Sequence, residues 1–143
     1  MLADHAKPTL DFSKLEDLSY DECLALLSTA KVGRLAFVES GDPVVLPVNF
    51  TMDGSMIVFR TGVRSGLFAA VTNGPVRLEI DHWDDASRTG WSVLVKGVAE
   101  HVTGIDTERF EGLSIANEAD KTALPCWVRI SIEEISGRKL PTT

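Results

Sequence analysis

Turn signals cut most of this chain into short strand-like runs, and that pattern restricts its fold more than any other feature. Six runs follow one another from Val32 onward. Leu35 to Val38 is the first; Gly41, Asp42 and Pro43 then make a turn, and Val44 to Met52 is the second. Asp53-Gly54 comes next, a strong hairpin signal because both central positions of a type I′ turn need positive φ. Met56 to Thr61 is the third run. In Val76 to His82 the residues Val76, Leu78, Ile80 and His82 face one way and Arg77, Glu79 and Asp81 the other, as in a half-buried strand. After a polar loop from Asp84 to Gly90, Trp91 to Val102 is the fifth, with Gly97 marking a bulge or bend. Trp127 to Ile132 is the sixth, running on to Leu140 with a kink expected at Gly137. Six strands with mostly short connections favour a closed or partly closed barrel, because closure removes exposed edges.

The helical content is small. Ser19 and Glu22 stand at capping-box spacing, and Cys23, Leu24, Leu26, Leu27 and Ala30 follow at helical spacing. This predicts a helix ending near Gly33. A short helix is expected over Leu67 to Val71, closed by Asn73-Gly74-Pro75, and another over Asp106 to Leu113. Met1 to Asp17 is polar and aperiodic, an N-terminal arm that Phe12 and Leu15 can tack onto the body. Residues 18–143 form one domain. The expected fold is mainly β: a six-stranded antiparallel split β-barrel with short flanking helices.

Charge and composition narrow the function. A net charge of −7 argues against general nucleic-acid or anionic-membrane binding. No apolar run approaches the ~18 residues of a membrane helix, and the N-terminus lacks the pattern of a signal peptide, so the cytoplasm is the expected location. Cys23 and Cys126 read as buried thiols rather than a disulfide or a nucleophile. His5, His82 and His101 do not fall at metal-ligand spacing, and His82 reads as a core or rim residue. No nucleophile elbow or Gly-rich phosphate cradle is present, and Asp84-Asp85 reads as a solvated turn.

One segment offers chemistry. Phe59-Arg-Thr-Gly-Val-Arg-Ser-Gly66 leaves a strand and enters a helix, with two guanidinium groups and two hydroxyls. Arg binds phosphate bidentately, and free N–H groups at a helix start favour an anion. Arg60 and Arg64 fit surface charges equally well. Asn49, an amide in an apolar strand, must find partners.

The sequence resembles the pyridoxamine 5′-phosphate oxidase-like family of flavin-binding split barrels, in its small actinobacterial-type branch. The resemblance runs over roughly Leu18 to Leu140. It is carried by Leu18 to Leu24 leading into Val32–Val38, by Pro43–Phe50 before Asp53-Gly54, by Ile57–Thr61, and by Arg88–Gly97. Trp127–Ile130 and Ile135–Arg138 close the match. It implies FMN in a cleft between two subunits of a homodimer. By position, Leu46, Pro47, Val48 and Asn49 would lie along the isoalloxazine ring. Phe59, Arg60 and Thr61 would approach the ring edge and phosphate, and Arg64 and Ser65 would hold the phosphate. Trp91 and Ser92 would sit near the ring, with Trp127 contributed by the partner. Many relatives carry Lys directly after that Ser; here the place is Gly66. The implied activity is an oxidoreductase moving hydride between FMN and a small-molecule substrate. A deazaflavin coenzyme, with Arg60, Arg64, Arg88 and Lys96 forming a local basic groove, and a non-enzymatic flavin-binding or storage role remain alternatives.

Overall fold

The ends of the sheet meet each other. The structure, a computed structural model, describes residues 14–62, 74–103, 110 and 125–141. Its elements are β1 (Glu16–Asp17), α1 (Tyr20–Thr29), β2 (Val32–Glu39), β3 (Asp42–Asp53), β4 (Met56–Gly62), β5 (Gly74–Asp84), β6 (Thr89–Val102) and β7 (Pro125–Leu140). The strand order is β1-β7-β4-β3-β2-β5-β6, every pairing is antiparallel, and β6 also pairs with β7. That last ladder closes six long strands into a barrel, as the runs of strand residues predict. The seventh strand is the two-residue β1, whose Glu16 and Asp17 pair with Lys139 and Arg138. The sheet therefore reaches back into the expected arm.

Alternation along the strands fills the interior. Leu35 and Phe37, Val48 and Phe50, Ile57 and Phe59, Val76, Leu78 and Ile80, and Val93 and Val95 are all buried in one core. Helix α1 caps that core through Cys23 and Leu27, four residues apart on one face. Its start has the expected capping box: Ser19 Oγ accepts from Glu22 N–H at 3.1 Å, and Glu22 Oε1 accepts from Ser19 N–H at 3.2 Å. The helix stops at Thr29, earlier than predicted. Ala30 is already extended and Gly33 lies inside β2, where pairing with β3 takes over. Both cysteines are buried free thiols, and burial raises both thiol pKa values.

The hairpins fall one residue away from their predicted positions. Glu39 pairs with Asp42, so the first turn is Ser40-Gly41, both at positive φ (50° and 84°); Asp42 and Pro43 belong to β3. Asp53 pairs with Met56, leaving Gly54-Ser55 as the second loop. Only Gly54 has positive φ there, 61°, so the turn is not the predicted I′ but one with Gly at its first central position. The bulge predicted at Gly97 is present, as a register shift against β7. A Cβ on Gly97 would strike the Ser131 carbonyl oxygen and come within 2.7 Å of Ile130 Cγ2. His82 is exposed at the barrel rim rather than continuing the buried face of Val76, Leu78 and Ile80. The helices predicted over 67–71 and 106–113 lie outside the described residues, except for Phe110. Among the described residues no helix is long and apolar enough to cross a membrane.

Candidate functional site

The barrel wall splits between β3 and β4. Their ladder runs only from Phe50↔Phe59 to Asp53↔Met56. Among the described residues, β3 before Phe50 pairs with β2 alone, and β4 after Phe59 pairs with β7 alone. The sequence of β3 suits an open edge. Phe50 N–H donates to Lys31 O at 3.0 Å, toward β2. By alternation, the N–H groups of odd-numbered positions point to the open side, and Pro43 and Pro47 occupy two of those positions. The missing donors cost nothing there.

The two lips of the split carry most of the residues singled out from sequence. Leu46, Pro47, Val48 and Asn49 form one lip; Arg60 and Thr61 form the other, beside Cys126 and Trp127 of β7. Val48 and Phe59 point into the barrel core, at 8% and 1% exposure, so a ligand in the split would meet them through backbone atoms. Pro47, Asn49 and Arg60 are on the outer face. Arg60 lies over the Trp127 ring, 5.6 Å from its centroid, a distance at which a cation is attracted to the ring face. Trp127 is itself buried in a small second core outside the barrel wall, with Val58, Val102 and Phe110. The Phe110 and Trp127 rings are 5.8 Å apart. Phe110 is the contact that sequence periodicity had placed only on a helix. Arg64, Ser65 and Gly66 lie outside the described residues.

Trp91 and Ser92 are elsewhere. Trp91 pairs with Lys139 near the start of β6, whereas Val102 pairs with Trp127 at its end. At about 3.3 Å per residue, roughly 35 Å of strand separates them, less what twist and the bulge take up. Within one chain, Trp91 and Ser92 do not join the split.

They line instead a cavity of 340 Å³ at the opposite barrel rim. Its lining comes from residues 81–83 of β5, residues 90–92 of β6, Arg138 and Leu140 of β7, and Leu15, which adjoins β7 through the β1 pairing. The arm thus contributes a wall. His82 and Trp91 are cross-strand partners with ring centroids 6.3 Å apart. Trp83 lies across Gly90, where an added Cβ would come within 2.6 Å of the indole. Its indole N–H donates to Asp85 Oδ1 at 2.7 Å. Asp84 accepts from Ala86 N–H at 3.0 Å, and Ser87 followed by that backbone bond lowers its pKa. The two aspartates thus shape the loop, in keeping with the turn predicted there. Asp81 is ion-paired to Arg34, which also meets Glu79 at 2.9 Å. Nothing in sequence periodicity marked Trp83 or Arg138 as neighbours of Trp91; the β5–β6–β7 register brings them together. Among the described residues, no group of His, Cys, Asp and Glu is placed to hold a metal ion.

Comparison with known proteins places this architecture. The family model described as pyridoxamine 5′-phosphate oxidase matches residues 19–139. The chain belongs to that family. An uncharacterised protein of Mycobacterium tuberculosis, Rv0080, is 33% identical over 92 residues, 61% of this chain and 60% of that protein; the match thus spans less than two thirds of the relative. A solved structure of an FAD-binding protein from Mycobacterium smegmatis is similar at a TM-score of 0.69 and 29% identity, covering 89% of this chain and 99% of the other. A Corynebacterium glutamicum protein provisionally assigned as a pyridoxamine 5′-phosphate oxidase superposes at a TM-score of 0.77 with 30% identity, over 91% and 96% of the two chains.

Proposed function

We propose that this protein is a flavin-dependent oxidoreductase that binds FMN in the split between β3 and β4, as a homodimer. The observation that carries the reading is the split itself: among the described residues the β3 and β4 ladder stops at Phe50 and Phe59, with an amide on one lip and a cation and an indole on the other. These residues fit a flavin. Its planar ring suits the apolar lip of Leu46 and Pro47, its polar edge suits the Asn49 amide and strand backbone, and its phosphate suits guanidinium groups. Arg60 and Thr61 would hold the phosphate end with Arg64 and Ser65. Asn49 would orient the ring through its amide.

The separation of the two clusters supports the homodimer reading. Trp91 and Ser92 stand at the far rim of their own subunit, so they reach a flavin in the split only if a second copy supplies them. Ala36, Val38, Pro43 and Val45 lie side by side on the outer face of β2 and β3, with Val38 and Val45 each 62% exposed. Covering this patch with a second copy would remove it from water. When bound, the flavin supplies hydride chemistry that no side chain can.

The relative that binds FAD favours a second reading, in which the same split takes the FMN half of FAD. Titration of the purified protein with FMN, FAD and a deazaflavin coenzyme, followed by absorbance, separates the cases. Saturation near one flavin per subunit is expected, with affinity about tenfold or more weaker in Arg60→Ala. No binding of any of the three at tens of micromolar overturns the proposal. A monomer in light scattering at the same concentration overturns the shared site.

A further inference from the structure

We infer that Trp127 is a positioning residue for the split: it holds Arg60 ready for the flavin phosphate and makes no contact with the flavin itself. The inference rests on the function proposed above. Arg60 and Trp127 are cross-strand partners in the β4–β7 ladder, so their side chains leave the sheet side by side on its outer face. The guanidinium lies over the indole, 5.6 Å from the ring centroid. Val102 of β6 pairs with Trp127 from the other side, which puts the indole in the middle of a three-strand row. Val58 and Phe110 pack around it, with the Phe110 ring 5.8 Å away. At 4% exposure the indole has almost no surface on which a flavin could stack. What it presents to the split is the cation resting on it.

The enclosure fixes the ring, and a fixed ring restrains the cation. A loose Arg side chain gives up rotamer freedom when it clamps an anion; one already resting on a rigid ring gives up less. Attraction to the ring face uses the positive charge of the guanidinium and none of its N–H donors, so the donors stay available to phosphate oxygens. Arg129, two residues along β7 from Trp127, is held in another way. Its Nε and a terminal nitrogen both donate to Glu100, its partner in the β6–β7 ladder. A carboxylate neutralises a guanidinium and occupies its donors, whereas an indole does neither. Trp127 thus holds Arg60 without occupying what a phosphate needs.

The test is titration of the purified protein with FMN and with riboflavin, which lacks the phosphate, followed by absorbance. Trp127→Leu keeps an apolar filling but no ring face, and is expected to weaken FMN binding about three- to tenfold more than riboflavin binding. Trp127→Phe restores most of that selectivity. In the Arg60→Ala background Trp127→Leu adds no further selective loss, because the residue it positions is gone. Equal weakening of the two flavins, weakening of neither, or a selective loss that persists without Arg60 each overturns the inference. The wild-type protein gives a second readout that needs no folded Trp127 variant. The Arg60 Nε–H resonance, assigned by its absence in Arg60→Ala, is expected to be shifted upfield by the indole ring and to move more with FMN than with riboflavin. A resonance at the position of a free arginine overturns the inference. Arg60→Ala with unchanged FMN affinity overturns the reading of the split, and this inference with it. A weakened Arg60→Ala beside an indifferent Trp127→Leu overturns this inference alone.

Discussion

The two ends of the β6–β7 ladder treat their tryptophans in opposite ways. At one end Trp127 is closed over by Val58, Val102 and Phe110, and is 4% exposed. At the other, Trp91 packs only partly against the main core, and Trp83, on the opposite face, is 50% exposed beside an open cavity. The same residue type thus serves packing at one end and an available surface at the other. Neighbours decide which. Phe110 comes from outside the barrel to cover Trp127, whereas the β5–β6 hairpin ends in a polar loop that leaves Trp83 uncovered.

The largest expected effect breaks this comparison directly. Trp127→Ala removes a buried indole and leaves a hole, at a cost of about 3–5 kcal/mol in denaturant unfolding. Trp91→Ala, at a half-exposed position, is expected to cost roughly half of that or less. Equal losses would mean that the two ends are packed alike. A smaller effect sharpens the picture of the open end. Gly90→Ala pushes a methyl group into the Trp83 ring and against the His82 carbonyl oxygen, and should cost about 1–3 kcal/mol while shifting the fluorescence of that indole. An unchanged spectrum would show that Trp83 does not lie on Gly90. The smallest effect concerns the outer wall between the ends. Burial first, then Asp81 beside it, raises the Glu79 pKa against the pull of Arg34. The folded state therefore holds that proton more tightly than the unfolded chain, so stability falls as pH rises from the ordinary carboxylate value to the raised one, and is regained below it. Glu79→Gln should flatten that slope. Solvent reaches the site, so the change is about a few tenths of a kcal/mol, measurable as unfolding midpoint against pH.

Much of this protein was legible in its sequence because strand alternation and capping are local. The Ser19–Glu22 box, the buried faces of β5 and β6, the bulge at Gly97 and the buried cysteines follow from neighbouring residues alone. The turns were misplaced by one residue because either Gly41 or Gly54 can serve at more than one turn position; only strand register selects it. Leu46–Asn49 and Arg60 were singled out by likeness to a family, yet their side chains divide between core and surface. Period-2 alternation explains why Val48 and Phe59 point inward while Asn49 and Arg60 do not. What the tertiary structure alone decided is where the ladder between β3 and β4 stops, and which residues distant in sequence meet at the rim. Leu15, Trp83, Trp91 and Arg138 carry no common motif. They come together because barrel closure pairs β6 with β7, and a closure contact depends on the summed register of every strand around the ring.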